Sequence, residues 1–186
     1  MTPETEALAR VVRFLDDLGI DYMLAGSMAS SFHGRPRTTH DADIVIDPDP
    51  QQLDRLVAAL AAAGFYVDGQ RARDALRRRL QFNAIDTSSA FKLDLVIRKD
   101  RPFSREELRR RQWVDLEGAS IALATAEDTI LTKLEWARRA AGSQRQLADA
   151  RGIVDVRGDE LDSAYIERWA EALGVLDLWH QLARDG

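Results

Sequence analysis

Residues 41–46 read Asp-Ala-Asp-Ile-Val-Ile, and this alternation of carboxylates with apolar side chains decides the fold. Successive side chains of a β-strand point to opposite faces of the sheet. Asp41 and Asp43 therefore share one face, and the apolar side chains of this stretch, Ala42, Ile44 and Ile46, share the other. The pattern predicts a strand with one hydrated face and one buried face.

A second stretch, residues 91–97 (Phe-Lys-Leu-Asp-Leu-Val-Ile), repeats this pattern with Lys92 and Asp94 on the polar side. If the two strands are neighbours, Asp94 joins the aspartate pair, because adjacent strands lie about 5 Å apart. Three carboxylates on one face repel one another unless cations neutralise them, and hard oxygen ligands suit Mg2+ or Mn2+. A solvated sheet face would show the same alternation, so the pattern leaves both interpretations open.

A glycine–serine turn precedes the aspartate pair. Residues 20–25 (Ile-Asp-Tyr-Met-Leu-Ala) predict a short strand, and Gly26 and Ser27 then lead into a run of small residues that starts a helix. Glycine lets the backbone approach a ligand closely, and the N–H groups of a helix N-terminus bind phosphate. Alone, Gly-Ser is most often a turn with a serine cap. Followed by the aspartate pair and then Asp94, it indicates a phosphate-binding turn.

Together these motifs resemble the nucleotidyltransferase superfamily whose fold is shared with DNA polymerase beta. Its pattern is an apolar strand, Gly-Gly or Gly-Ser, a short spacer, Asp-x-Asp, and a third acidic residue on a later strand. The residues at those positions here are Gly26, Ser27, Asp41, Asp43 and Asp94. Residues 34–39 (Gly-Arg-Pro-Arg-Thr-Thr) are similar to the Arg-x-Thr approach that precedes the pair in many small bacterial members.

A later segment resembles the abortive-infection (AbiEii) type of toxin nucleotidyltransferase. Residues 133–138 (Lys-Leu-Glu-Trp-Ala-Arg) are similar to a helix that lies beside the active site in that group. The group commonly continues with Lys-Asp-Leu-x-Asp, where this chain keeps Asp149 but has Gln146 in place of the first aspartate. That departure argues against transferring a ligand-binding role to Asp149. A lysine that extends its stem along the core is the alternative interpretation of Lys133.

The resemblance implies a two-metal mechanism. Asp41 and Asp43 would hold two divalent ions, Mg2+ or Mn2+, on a nucleoside triphosphate, and Asp94 would share the ion nearer the acceptor and favour deprotonation of its hydroxyl. Such ions stabilise both the attacking and the leaving oxygen while a nucleoside monophosphate is transferred and pyrophosphate leaves. The Gly26–Ser27 turn would contact the phosphates. The further candidates for substrate contact are Arg37, Lys92 and Lys133.

The toxin-like resemblance implies tRNA or a protein hydroxyl as the acceptor, and a cognate antitoxin as a partner. The smaller antibiotic-modifying relatives imply an aminoglycoside instead. The residues also leave two other functions open. One is a catalytically idle module that binds a nucleotide as a sensor, and the other is a metal-dependent phosphohydrolase, which usually has more histidine or carboxylate ligands.

Composition sets further bounds. The net charge of −5 argues against binding nucleic acid through overall charge. Arginines nevertheless concentrate within residues 71–79 and 98–111. These arginines are interpreted either as solvated surface residues or as a binding site for a polyanionic acceptor. The absence of cysteine excludes disulfides and thiolate metal sites. The first residues show no secretion signal, and the apolar run at 56–65 is too short to span a bilayer. We therefore expect a cytoplasmic protein without a membrane partner.

The order of the predicted elements indicates an α/β (α+β) fold, with a nucleotidyltransferase-type mixed sheet flanked by helices. Strand and helix patterns alternate through a core at residues 1–124, with hairpins predicted near residues 81–98 and 113–124. From Thr125 onward the periodicity is helical, which predicts a C-terminal region at residues 125–186 packed on the core. His40 is interpreted as orienting the aspartate strand, and Trp136, Trp169 and Trp179 as core or interface anchors.

Overall fold

A mixed sheet of seven strands organises the computed structural model, which describes residues 2–39, 41–140 and 143–184. The strands follow the order β3-β4-β5-β2-β1-β7-β6 across the sheet. Pairs β2–β5 and β1–β7 are parallel, whereas β3–β4, β4–β5 and β6–β7 are antiparallel. Their bounds are β1 Tyr22–Ala25, β2 Asp41–Ile46, β3 Phe65–Val67, β4 Gln81–Asp86, β5 Lys92–Ile97, β6 Gln112–Leu116 and β7 Ala119–Leu123. The predicted mixed α/β class is confirmed, and so are both predicted hairpins.

The helices begin where the sequence supplies caps. Pro3 and Pro50 are the first residues of two helices, and Thr2 and Asp49 precede them as N-caps. The side chains of these caps accept hydrogen bonds from backbone N–H groups in the first turn. Helix α5 was not predicted, because its apolar positions are few, chiefly Phe103 and Leu108. The helices are α1 Pro3–Asp17, α2 Gly26–His33, α3 Pro50–Ala62, α4 Gly69–Arg78, α5 Pro102–Arg110, α6 Ala126–Arg139, α7 Gln144–Arg157, α8 Ser163–Leu173 and α9 Leu176–Arg184.

The central strands bury one face, as their alternation predicts. The register aligns Ala42 with Leu93 and Ile44 with Leu95, so the apolar rows of β2 and β5 lie on the same side of the sheet. All four side chains are fully buried. Burying a leucine or isoleucine stabilises the fold by about 1.5–3 kcal/mol. A shift of one residue in the pairing would expose the whole row, so the burial fixes the register.

Contacts divide the chain into two compact units. The first comprises Met1–Leu24 and Thr39–Leu123, and contains the sheet with helices α1 and α3 to α5. The second comprises Ala25–Thr38 and Ala124–Gly186, and contains α2 and α6 to α9. The predicted boundary at residue 124 differs from this division in one respect. Residues 25–38 group with the C-terminal helices, because α2 packs on α6 and α7.

Two contacts organise the second unit. At the end of α2, a Cβ on Gly34 would lie 2.7 Å from the carbonyl carbon of Gly152 in α7, so glycine is required for this close approach. At the start of α6, Thr125 caps the helix by accepting a hydrogen bond from the backbone N–H of Asp128 at 3.2 Å. The Tyr165 hydroxyl donates to Asp128 at 2.6 Å and ties α8 to α6. The predicted start of α6 is thereby confirmed.

The tryptophans predicted as anchors differ in burial. Trp179 is buried, whereas Trp136 is 50% exposed and is not a core residue. Its position on α6 turns the indole ring toward the Arg139 guanidinium, 5.9 Å from the ring centre. No helix within the described residues is long and apolar enough to cross a membrane. His40 lies outside the described residues.

Candidate active site

The polar face of β2 and β5 carries three carboxylates and one ammonium group. The parallel register pairs Asp41 with Lys92 and Asp43 with Asp94. Alternate residues of a strand share a face, so the four side chains occupy the corners of one patch, which we call the acidic face. Asp41 and Asp43 are half-buried, and Asp94 is only 5% exposed. The structure thus brings together all three of the predicted carboxylates.

Asp94 is held by two donors. The Lys92 ammonium lies 2.8 Å from Asp94 Oδ2, and the Asn83 side-chain amide donates to Oδ1. Lys92 Nζ also lies 3.8 Å from Asp41 Oδ2. Sequence reasoning had placed Lys92 and Asp94 side by side but had missed Asn83. Its signal was the alternation Phe82-Asn83-Ala84 in β4, which sets the amide directly opposite Asp94.

The four side chains of the acidic face interact electrostatically with one another. The pKa of Lys92 is raised, chiefly by its hydrogen bond to Asp94 and then by the negative charges of Asp94, Asp41 and Asp43, while partial burial opposes the rise. The Thr39 hydroxyl donates to Asp41 Oδ1 at 3.0 Å and helps to orient that carboxylate. Three carboxylates and one ammonium leave a net charge of −2 on the face.

The donor set suits a hard divalent cation in part. Asp41 and Asp43 present half-buried carboxylates on one side of β2, the ligand type that Mg2+ and Mn2+ prefer. Yet no group of three histidine, cysteine, aspartate or glutamate side chains in the described ranges is arranged to hold a metal ion. In this structure Lys92 and Asn83 engage the two oxygens of Asp94. The aspartate pair therefore offers ligands that fit a metal, whereas both oxygens of Asp94 contact donors from the protein.

The remaining predicted site residues meet in the second unit. Helix α2 begins at Gly26, which has a φ of 61° that favours glycine, and Ser27 follows in its first turn. Arg37 donates from Nε and Nη2 to the two carboxylate oxygens of Asp149 at 3.0 and 3.1 Å, and also donates to the Ser27 hydroxyl. Lys133 Nζ donates to Asp149 Oδ2 at 2.7 Å. We call Ser27, Arg37, Lys133 and Asp149 the Asp149 cluster.

The Asp149 cluster carries a net charge of +1, with two cations around one carboxylate. Burial acts to raise the pKa of Asp149, but hydrogen bonds and charge from Arg37 and Lys133 outweigh it and lower that pKa. The side chains of Lys133 and Asp149 are both buried. Asp149, for which sequence reasoning had assigned no role, therefore orders two of the predicted substrate contacts, Arg37 and Lys133. The signal was its match to the final aspartate of the Lys-Asp-Leu-x-Asp pattern.

Many of the arginines that were predicted to lie on solvated surfaces or to bind a polyanion are paired with nearby carboxylates. On α4, Arg73 contacts Asp54 at 2.8 Å, and after β5 Arg98 contacts Asp47 at 2.7 Å. An exposed pair such as Arg73–Asp54 is worth about 0–1 kcal/mol, whereas the Arg98 side chain is largely buried. The local neutralisation of these arginines favours the interpretation as solvated surface.

Comparison with known protein families finds one match that spans most of the chain. A family model described as the nucleotidyl transferase AbiEii toxin of a type IV toxin–antitoxin system matches residues 7–172. The matched range includes the acidic face and the Asp149 cluster. No curated protein matches the chain.

Solved structures share the fold at low sequence identity. The solution structure of the antibiotic-resistance factor ANT(2'')-Ia matches with a TM-score of 0.58 and 13% identity, over 97% of this chain and 99% of that one. A nucleotidyltransferase-like antigenic protein from Paracoccidioides brasiliensis matches with a TM-score of 0.55 and 19% identity, over 96% and 91%. The lincomycin-bound lincosamide adenylyltransferase LnuA matches with a TM-score of 0.55 and 10% identity, over 81% and 96%.

Proposed function

The chain belongs to the AbiEii nucleotidyl transferase toxin family, and on that premise we propose that it transfers a nucleoside monophosphate from a nucleoside triphosphate to a hydroxyl acceptor, with Mg2+ or Mn2+ as cofactor. The observation that carries the proposal is the register of β2 and β5. It sets Asp43 beside Asp94, and Asp41 beside Lys92, on the polar face of a sheet whose other face is buried. Hard ligands with excess negative charge, gathered on a rigid sheet, are what a metal-assisted phosphoryl site requires.

In this proposal Asp41 and Asp43 are the metal ligands, and Asp94 completes the acidic face. A bound divalent ion would supply neutralisation of phosphate charge. Thr39 keeps Asp41 oriented through its 3.0 Å hydrogen bond, and the parallel register keeps Asp43 in place. The role of the protein is then positioning, because little covalent chemistry is asked of its own side chains. The two-ion arrangement that the resemblance implies remains a prediction.

We assign phosphate binding to the second unit. The N-terminus of α2 offers backbone N–H groups at Gly26 and Ser27, where the helix dipole favours an anion. Arg37, whose side chain is 26% exposed, is the cation open to direct contact with a phosphate, and the buried Lys133 adds a second positive charge beside Asp149. Asp149 holds both cations in fixed directions, so binding an anion costs them less conformational entropy.

The acceptor is proposed from the family. A family of toxin–antitoxin toxins supports a cognate antitoxin as a partner. Following the resemblance of the sequence motifs, we take tRNA or a protein hydroxyl as the first candidate acceptor and the cytoplasm as the location. A small molecule such as an aminoglycoside is the second candidate, because an antibiotic-resistance factor and a lincosamide adenylyltransferase share the fold.

The proposal is tested by supplying the purified protein with each of the four nucleoside triphosphates, labelled at the α-phosphate, together with Mg2+ or Mn2+. Total tRNA, a protein lysate and a panel of aminoglycosides serve as acceptors in separate reactions. We expect label to move to one acceptor class, pyrophosphate to be released, and a chelator to stop both. Release of inorganic phosphate without transfer would identify a phosphohydrolase instead. Tight nucleotide binding without turnover would identify a sensor.

A further inference from the structure

Lys92 occupies a position on the acidic face where a cation is needed. It lies two residues before Asp94 on β5 and directly opposite Asp41 on β2, so its ammonium reaches both carboxylates. The distances are 2.8 Å to Asp94 Oδ2 and 3.8 Å to Asp41 Oδ2. Contact with two carboxylates at once is the arrangement expected of an ion that neutralises them.

The oxygens of Asp94 support the same conclusion. Oδ2 accepts from Lys92 and Oδ1 accepts from the Asn83 amide, which stands opposite Asp94 on β4. With its side chain only 7% exposed, Asp94 has little room for a further ligand. Asp41, by contrast, keeps 41% of its side chain exposed. Both carboxylates have protein partners, since Thr39 donates to Asp41 Oδ1, but only Asp41 also has enough exposed surface to bind an ion from solution.

Charge gives a third argument. The acidic face carries three negative charges and the single positive charge of Lys92, which leaves −2, the charge that one divalent cation neutralises. Without a bound triphosphate, a second divalent ion would leave the face at +2, next to an ammonium that repels it.

We infer that Lys92 is a resident cation of the site that takes the place of one of the two metal ions implied by the family resemblance. The acidic face then binds a single divalent ion at Asp41 and Asp43, while Asp94, held by Asn83, positions the ammonium. This inference rests on the proposed function, because it concerns the same carboxylates.

The experiment counts bound Mn2+ ions by electron paramagnetic resonance of the free ion, for the full chain alone and with one equivalent of a nonhydrolysable nucleoside triphosphate, whose own binding of Mn2+ is measured in a protein-free control. Wild type is expected to bind one ion per chain in both conditions. Lys92→Arg retains the charge and should behave like wild type. Lys92→Met removes the charge at similar volume and should bind Mn2+ at least about tenfold more tightly, or bind a second ion. Lys92→Gln is a second neutral variant, and circular dichroism checks that each variant is folded.

Asp43→Asn shows whether the counted ion is at this site, because it should abolish or strongly weaken binding. Two ions on wild type, or equal Mn2+ affinity in wild type and both neutral variants, would overturn the inference. The proposed function fails separately. A chain that transfers label yet binds two ions refutes only the inference, whereas one that binds a single ion in the expected way and transfers no label to any acceptor refutes only the proposed function.

Discussion

The acidic face and the Asp149 cluster use the same groups in opposite proportions. On the acidic face, one ammonium stands among three carboxylates and the net charge is −2. In the Asp149 cluster, one carboxylate stands between a guanidinium and an ammonium, and the net charge is +1. An ion pair whose two charges cancel mainly stabilises the structure, whereas the uncompensated charge of a cluster determines the sign of the ligand that it attracts. The first region is therefore suited to a metal ion and the second to phosphate.

The largest effect on stability is expected at Asp149, the carboxylate that both cations of the Asp149 cluster share. Asp149→Ala leaves the buried Lys133 ammonium and the Arg37 guanidinium without their shared carboxylate. We expect the free energy of unfolding to fall by about 3–5 kcal/mol in urea denaturation. Asp177→Ala is the control, because Asp177 is 67% exposed and pairs with the 46% exposed Arg138, so its loss should cost about 1 kcal/mol or less. Equal losses would mean that burial does not distinguish the two pairs.

A second prediction concerns the packing of α2 on α7, which places Ser27 in the Asp149 cluster. Gly34→Ala would place a Cβ 2.7 Å from backbone atoms of Gly152 and Ile153, so α2 or α7 must shift. Overpacking of this kind costs about 1–3 kcal/mol, measured as a lower melting temperature. Gly152→Ala is the matched control, because its Cβ would meet Arg35 at no less than 3.4 Å and the helix gains a better helix former. A stable Gly34→Ala variant would contradict the close approach.

A smaller effect is expected from pH. The pKa of Asp149 is lowered in the folded protein, so its ionised form stabilises the fold at pH values above its unfolded pKa of about 3.9. That contribution is lost as the pH falls through the lower, folded-state pKa. The difference in unfolding free energy between wild type and Asp149→Asn should therefore be constant near neutral pH and shrink in the acid range. A difference that does not change with pH would show that Asp149 acts by packing alone.

The sequence predicts the acidic face better than the Asp149 cluster, for a physical reason. The alternation in residues 41–46 and 91–97 is local, and burial of the two apolar rows in one layer then fixes which carboxylates are neighbours. The contacts of the Asp149 cluster join residues far apart in the chain, with Arg37 separated from Asp149 by 112 positions. No local period encodes such a pair.

Two further features show where sequence reasoning was insufficient. The grouping of α2 with α6 and α7 depends on the approach of Gly34 to Gly152, and neither glycine differs in sequence from an ordinary turn or helix glycine. Helix α5 lacks a continuous apolar stripe, because arginines and glutamates fill most of its positions. Its sequence therefore shows no clear helical periodicity of apolar residues. Asn83 could have been found by extending the strand alternation one strand further.

The most direct test of the central claim compares the rate of nucleotidyl transfer in wild type, Asp43→Asn and Asp54→Asn, with the acceptor identified from the panel above. Asp54 makes an exposed ion pair with Arg73 on the surface, so its amide variant is the matched control and should keep the wild-type rate. We predict that Asp43→Asn lowers the rate by about a hundredfold or more while the protein stays folded, because a metal ligand is lost. Transfer by Asp43→Asn at the wild-type rate would contradict the assignment of the acidic face as the catalytic site.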